Sequence, residues 1–143
     1  MIRFEEVDEG NWRLGLRVAD DQRHLVADSD RMLARAFAYR NSRSRAYVIW
    51  DQDTPVGMIL WYDCDALNAF LLSQLFIDEG YQGMGYGKAA AGMALDLMRQ
   101  DGKYSKVVLC YIDGNDAARK LYESIGFRIT DRDEDEIIME MML

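Results

Sequence analysis

The chain has 143 residues, half of them hydrophobic, which is the length of one ordinary domain with enough apolar residues for a core. Its 25 acidic residues outnumber 17 basic ones, and the formal net charge of −8 disfavours nucleic acid or an anionic membrane as a partner, because both require clustered cations. No apolar stretch approaches the roughly 20 residues of a membrane span, and acidic residues interrupt the start of the chain, where a signal peptide needs an apolar run. We expect a single cytoplasmic domain over residues 1–143.

The cysteine and histidine content is too low for a metal cluster or a disulfide framework. Cys64 and Cys110 stand alone in strand-like runs, and His24 is the only histidine. Two isolated cysteines and one histidine do not have the number or the spacing of a set of metal ligands. We therefore expect two reduced thiols and no bound metal.

The first 40 residues predict one strand followed by two helices. Residues 2–7 alternate between apolar and polar side chains, as a short strand does. Asn11 is a candidate N-cap for a helix through residues 12–18, where apolar side chains recur. Asp28 or Ser29 is a candidate N-cap for a second helix, whose apolar residues continue to Phe37.

The middle of the chain predicts antiparallel strands. Residues 46–50 and 56–62 are apolar and β-branched or aromatic, and the segment 51–55 between them has turn chemistry, so the two strands form a hairpin. Residues 71–77 form a third strand, which is nearly continuous in apolar residues, as a central buried strand would be.

The last third predicts a helix over 89–98, a strand over 106–111 and a helix capped by Asn115. Residues 127–143 predict two further strands around the acidic turn 131–136. The sum is a mixed α+β domain. One face of the last helix is apolar and carries Ala118, Leu121, Tyr122 and Ile125.

The segment 78–88, which joins the strand 71–77 to the following helix, is the most informative part of the sequence. Its glycines at 83, 85 and 87 allow unusual dihedral angles and close approach of a ligand to the main chain. The start of a helix offers free N–H groups and partial positive charge, which suits a diphosphate. We expect an anion to bind here, with Lys88 adding one charge.

Alternative interpretations of this loop are weaker. A glycine-rich turn without a ligand does not explain why the loop lies between a strand and a helix. The stretch 85–90 fits the G-x-G-x-x-A pattern of dinucleotide sites, but residues 78–82 separate it from the strand, and the preceding hairpin does not belong to a doubly wound parallel sheet. The G-K-[ST] ending of a phosphate-binding P-loop is missing.

The segment Gln82-Gly83-Met84-Gly85-Tyr86-Gly87 matches the Q/R-x-x-G-x-G/A signature of the GNAT superfamily of acyl-CoA N-acyltransferases. The match extends back to residues 75–79 and forward to 115–127, which resembles the second cofactor motif of the superfamily. This resemblance implies a mixed, mostly antiparallel, twisted sheet of about six to seven strands with about four helices, in which a splayed strand pair holds the cofactor.

Across its whole length the chain is similar to bacterial spermine/spermidine N-acetyltransferases, through residues 5–12, 26–37 and 81–87. The resemblance implies transfer of an acetyl group from acetyl-CoA to a primary amine, with a polyamine as the expected acceptor. Another small amine, an amino acid, a peptide N-terminus and an aminoglycoside are alternatives. A catalytically idle module that binds coenzyme A is a further one.

The resemblance also implies the roles of individual residues. The pantetheine arm would bond to main-chain groups of Leu75 and Ile77, the diphosphate to N–H groups of residues 83–88, and Asn115 would contact the cofactor from the far side. Tyr122 would protonate the leaving thiolate, and the alternative is that it only packs in the core on the apolar face of its helix. The implied cofactor-binding residues are Leu75, Phe76, Ile77, Gln82, Gly83, Met84, Gly85, Tyr86, Gly87, Lys88, Asn115 and Tyr122.

The general base is not identified by the resemblance. Polyamine-acetylating relatives often have a carboxylate at the position that Ser73 occupies, and a serine is no base at neutral pH. Asp63, Asp65, His24 or ordered water are the alternatives.

The acceptor and the oligomeric state rest on weaker patterns. Carboxylates that could hold a polyamine by charge, or could be caps and solvated turns, are Asp20, Asp21, Asp28, Asp30, Asp63 and Asp65. The apolar end of the chain, residues 137–143, is open to two interpretations, a core strand or a contact in a homodimer.

Overall fold

The computed structural model describes all 143 residues, which form a seven-stranded sheet and three α-helices. The strands stand in the order β1-β2-β3-β4-β5-β7-β6, and every pair is antiparallel except β4–β5. The strands are β1 (Ile2–Glu6), β2 (Arg45–Asp51), β3 (Thr54–Cys64), β4 (Ala69–Ile77), β5 (Lys106–Ile112), β6 (Arg128–Asp133) and β7 (Glu136–Met142). The helices are α1 (Ser29–Ala38), α2 (Tyr86–Asp101) and α3 (Asp116–Ile125). The α+β class and the mostly antiparallel sheet are confirmed, and none of the helices has the length and apolarity to cross a membrane.

The predicted helix over residues 12–18 is wrong, so the helices number three rather than about four. The Asn11 side chain does not cap a helix. Its oxygen accepts from the Asp8 N–H at 2.8 Å, and its amide nitrogen donates to the Glu5 carboxylate at 2.7 Å. Gly15 follows with φ of 74°, which a helix does not tolerate. Leu16 and Val18 are buried at a spacing of two, as in an extended segment.

The helix ends follow the predicted capping chemistry. Asp28 accepts a hydrogen bond from the Arg31 N–H at the start of α1, and Asn115 accepts one from the Ala118 N–H at the start of α3. By contrast, α2 begins after Gly85 with no side-chain cap, so the N–H groups of its first turn are free.

A β-bulge at Ser73 divides β4 into two halves. Trp61 of β3 pairs with Leu72, whereas its neighbour Leu60 pairs with Gln74, so Ser73 is the extra residue. The inserted residue shifts the side-chain alternation by one. As a result Leu72 packs in the core cluster beneath α2, whereas Phe76 packs in the cluster beneath α1.

The parallel pair β4–β5 is short. It consists of Phe70 opposite Val107 and Leu71 opposite Val108, after which the two strands are no longer paired. This confirms the expected splayed strand pair. The main-chain groups of β4 that face β5 beyond Leu71 are therefore available to something other than a strand.

Candidate active site

Two cavities meet where β4 and β5 diverge. The first, of about 610 Å³, is called here the loop cavity and extends from β4 to the loop before α2. The second, of about 350 Å³, is called the arginine cavity and extends from β4 towards α1 and the end of β5. Both are lined by Val26, Leu75, Asn115, Ala118 and Tyr122.

The loop before α2 presents main-chain donors to the loop cavity. Gly83 and Gly85 have φ of 78° and 87°, which lies in the left-handed region that favours glycine. The first helical hydrogen bond of α2 runs from the Ala89 N–H to the Gly85 carbonyl, so the N–H groups of residues 86–88 are free for a ligand. An uncapped helix start behind a glycine turn is a binding site for a diphosphate.

Contacts with other elements hold this loop in place. The Gln82 side chain donates to the Ile77 carbonyl at 3.0 Å and to the Gln22 side chain at 2.8 Å. The Tyr86 hydroxyl donates to the Asp51 carboxylate at the end of β2, and this hydrogen bond raises the pKa of the phenol. The side chains of Gln82 and Tyr86 therefore fix the loop, while its main chain faces the loop cavity.

The structure brings most of the predicted cofactor residues together. Met84 is the exception, because it does not line the loop cavity and its side chain is 63% exposed. Asn115 caps α3 and lines both cavities. The predicted residues that line the loop cavity are Leu75, Phe76, Ile77, Gln82, Gly83, Gly85, Tyr86, Gly87, Lys88, Asn115 and Tyr122.

Tyr122 lies at the junction of the two cavities and is buried on the apolar face of α3. Its ring packs edge-on against Phe127, with the ring centroids 5.6 Å apart. No protein group forms a hydrogen bond with its hydroxyl, and burial raises the pKa of the phenol above its ordinary value. At neutral pH the hydroxyl is therefore protonated and has a proton to donate.

The arginine cavity has a markedly basic lining. Arg23, Arg31 and Arg35 contribute to it together with His24, and Glu136 is its only carboxylate. Of these residues only His24 was a sequence-based candidate. Arginines four residues apart on one helix are a detectable signal, but charged residues of that kind usually lie on a solvated surface.

Ser73 at the bulge also lines the arginine cavity, and its hydroxyl accepts a hydrogen bond from Arg35 at 3.1 Å. The position at which the resemblance led us to expect a carboxylate thus holds a serine whose partner is a guanidinium. The next residue, Gln74, is buried and donates to the Ala27 carbonyl, while its Oε1 has no partner.

Asp63 and Asp65, two of the candidate bases, line neither cavity. Arg43 and Lys103 contact the Asp63 carboxylate at 2.6 and 2.9 Å. Burial raises the pKa of this carboxyl, but these hydrogen bonds outweigh it and hold the pKa below its usual range. Asp65 accepts from the Tyr104 hydroxyl. Both carboxylates therefore belong to an ion-pair cluster outside the two cavities.

The other acidic residues proposed for polyamine binding also lie outside the arginine cavity. Asp20 pairs with Arg23 at 3.0 Å, and Asp28 caps α1. None of the six carboxylates considered for polyamine binding therefore lies in the cavity where a polycation would need it.

Comparison with protein families gives a match over most of the chain. The model of the acetyltransferase (GNAT) family matches residues 10–127. No curated protein sequence matches the chain.

Several solved structures have a similar fold. Spermidine N-acetyltransferase from Vibrio cholerae in complex with CoA and spermine superimposes with a TM-score of 0.77 at 18% identity, over 99% of this chain and 95% of that one. PaiA N-acetyltransferase from Thermoplasma acidophilum in complex with coenzyme A superimposes with a TM-score of 0.67 at 20% identity, over 81% of this chain and 72% of that one. IAA acetyltransferase from Bacillus cereus superimposes with a TM-score of 0.75 at 18% identity, over the full length of both chains. At these identities the likeness concerns the fold.

Proposed function

The chain belongs to the acetyltransferase (GNAT) family, and from this premise we propose that it transfers an acetyl group from acetyl-CoA to a primary amine across the junction of its two cavities. Acetyl-CoA occupies the loop cavity, and the amine occupies the arginine cavity. The observation that carries this proposal is the position of Tyr122, a buried phenol with an unused proton at the point where both cavities meet.

The residues present fit a nucleotide cosubstrate. The free N–H groups of residues 83–88 take the diphosphate, and Lys88 adds positive charge. Met84 contributes through its main chain, because its side chain points away from the cavity lining. Main-chain groups at Leu75 and Ile77, in the part of β4 that β5 no longer pairs with, hold the pantetheine arm in the opening between the two strands, beside Phe76 and Asn115. The Ile77 carbonyl is not among them, because it accepts from Gln82.

The reaction follows from these placements. The neutral amine attacks the thioester carbonyl, a C–N bond forms and the C–S bond breaks. A free N–H of β4 beyond Leu71 stabilises the oxyanion. Tyr122 donates its proton to the departing thiolate and is reprotonated from the amine nitrogen through water.

The substrate amine must first lose a proton, because an ammonium has no lone pair to attack with. Since Ser73 provides no carboxylate, the arginine cavity offers only His24 and Glu136 as ionisable proton acceptors. Both are exposed, so the proton leaves to one of them or directly to water.

A polyamine is the acceptor suggested by the sequence, and a spermidine N-acetyltransferase of the same fold is consistent with it. The lining of the arginine cavity opposes it, because Arg31 and Arg35, which form no ion pair, would repel a polycation. An amine that is not a polycation is therefore the better-supported acceptor.

Thiol release from acetyl-CoA with a panel of amines tests the proposed function. The panel comprises spermine, spermidine, amino acids, a peptide and an aminoglycoside. We expect amine-dependent release with at least one of them. Binding of coenzyme A without release by any amine would contradict the proposal and favour the idle binding module.

A further inference from the structure

The arginine cavity contains two guanidinium groups that form no ion pair, although Glu136 lines the same cavity. Arg31 and Arg35 form no ion pair, whereas the third arginine of the cavity, Arg23, pairs with Asp20 at 3.0 Å. Carboxylates are abundant in a chain of net charge −8, and many of its other arginines use them. Two unpaired guanidinium groups in one cavity are therefore donors available to a ligand.

The fold fixes the positions of both residues on α1, and the side chain of Arg35 is held in place as well. Arg31 and Arg35 lie one turn apart on α1 and so share a face of the helix. Arg35 is half-buried, and its hydrogen bond to the Ser73 hydroxyl at 3.1 Å holds the guanidinium against the bulge of β4. That bond uses Nη1 and leaves the other N–H donors without a partner in the protein.

This anion site is distinct from the cradle for the coenzyme A diphosphate. Neither Arg31 nor Arg35 lines the loop cavity, and Lys88 and Lys120, which do, are absent from the arginine cavity. Each cavity therefore has its own cationic groups. Since the acceptor is proposed to occupy the arginine cavity, an anionic group bound by these arginines is part of the acceptor.

We propose, building on the proposed function, that the acceptor is a primary amine bearing a carboxylate close to the nitrogen, as in an amino acid, and that Arg31 and Arg35 bind this carboxylate. The arginine fork matches a carboxylate in geometry and in charge. Because Arg35 is anchored at the bulge, the carboxylate it binds lies beside the strand where the thioester is expected.

The same arginines assist the chemistry at the nitrogen. Nearby positive charge favours the neutral form of an amine, which is the form that attacks. This offers a physical reason why a site with serine at position 73 functions without a carboxylate base, since the arginines promote the deprotonation that a base would otherwise drive.

The first test compares each standard amino acid with its carboxamide, and with spermidine, on protein saturated with coenzyme A. Calorimetry measures binding, and thiol release from acetyl-CoA measures turnover. We expect at least one amino acid to bind at least ten-fold more tightly than its carboxamide. Equal binding of the two forms, or tighter binding of spermidine, would overturn the inference.

The second test uses variants of the arginine cavity. Arg35→Gln should raise KM for the preferred amino acid at least ten-fold and abolish the preference over its carboxamide, with KM for acetyl-CoA unchanged. Arg35→Lys should recover only part of the loss, because an ammonium lacks the planar fork. Arg13→Gln is the matched control, since Arg13 is exposed, has no carboxylate partner and lines neither cavity.

The two proposals fail in distinguishable ways. Turnover of polyamines alone would overturn the carboxylate inference and leave the acetyltransferase intact. Selective binding of a carboxylated amine without thiol release from any amine would leave the anion site intact and contradict the proposed function.

Discussion

The proposed chemistry of this site depends on single residues, and Tyr122 is the clearest case. Its place on an apolar helical face was visible in the sequence, and so was its match to the family motif. The sequence could not show that its hydroxyl would lack a hydrogen-bond partner at a cavity junction. Arg31 and Arg35 were missed for a related reason, because the face of α1 that they share acquires meaning only once β4 packs beside it.

Tyr122→Phe should lower kcat at least ten-fold, which corresponds to about 1.4 kcal/mol of transition-state stabilisation. The KM for acetyl-CoA should change little, because the ring and its packing against Phe127 are retained. Steady-state thiol release measures both constants. Tyr104→Phe is the control, since it removes the same atom outside both cavities. Unchanged turnover in Tyr122→Phe would contradict the assignment of Tyr122 as the general acid.

The raised pKa of Tyr122 also predicts a pH profile. A phenol that titrates above its ordinary value of about 10 stays protonated as the pH rises from 7 to 10, so kcat should show no loss from this group in that range. A pH series of kcat for the wild-type protein and Tyr122→Phe checks this. A fall in kcat with a midpoint below the ordinary tyrosine value, present in the wild type and absent in the variant, would contradict it.

At the scale of elements, the helices with local caps were predictable and the bulge was not. Asn115 and Gly126 mark α3 by chemistry within a few residues of its ends. The bulge at Ser73 depends on how β3 and β4 pair, which is a long-range property. The predicted helix over 12–18 failed because the Asn11 side chain found its partners in β1 and at Asp8 rather than in a helix.

Substitution of two glycines tests whether the start of α2 binds the diphosphate of acetyl-CoA. Gly85→Ala and Gly15→Ala each place a Cβ in open space at φ of 87° and 74°, so both should cost roughly 1–2 kcal/mol of stability through backbone strain alone. Only Gly85→Ala should also raise KM for acetyl-CoA, because its Cβ enters the anion cradle. Thermal unfolding and initial rates separate the effects. Equal kinetic behaviour of the two variants would argue against a diphosphate at this loop.

At the scale of the whole molecule, basic residues serve two separate purposes. Arg43, Arg45 and Lys103 surround the buried carboxylate of Asp63 and connect β3 to the end of α2. Arg31 and Arg35 face a cavity and have no such partner. The sequence identified the sheet, the hairpin and the family, because those signals are local. Which carboxylates stabilise the fold and which basic groups face a ligand depends on contacts across the molecule.

Asp63→Asn should destabilise the protein by about 3 kcal/mol, because it leaves several cations without their buried partner. The pKa of the folded carboxyl is lowered, so its stabilising contribution is present above the ordinary value near 3.9 and is lost as pH falls through the folded pKa. Denaturant unfolding at pH 7 and at low pH measures this. The variant should retain its KM values at 25 °C, and Asp65→Asn, an exposed neighbour, should unfold like the wild type.

The meeting of two cavities along β4 and α3 has a consequence for the order of events in turnover. Because each cavity has its own lining and its own cationic groups, the donor and the acceptor fit at the same time. Under the proposed function the acetyl group then passes directly from one to the other, with no stage at which the protein itself carries it. Double-reciprocal plots of rate against each substrate should therefore intersect rather than run parallel, as they do when a ternary complex precedes the release of either product.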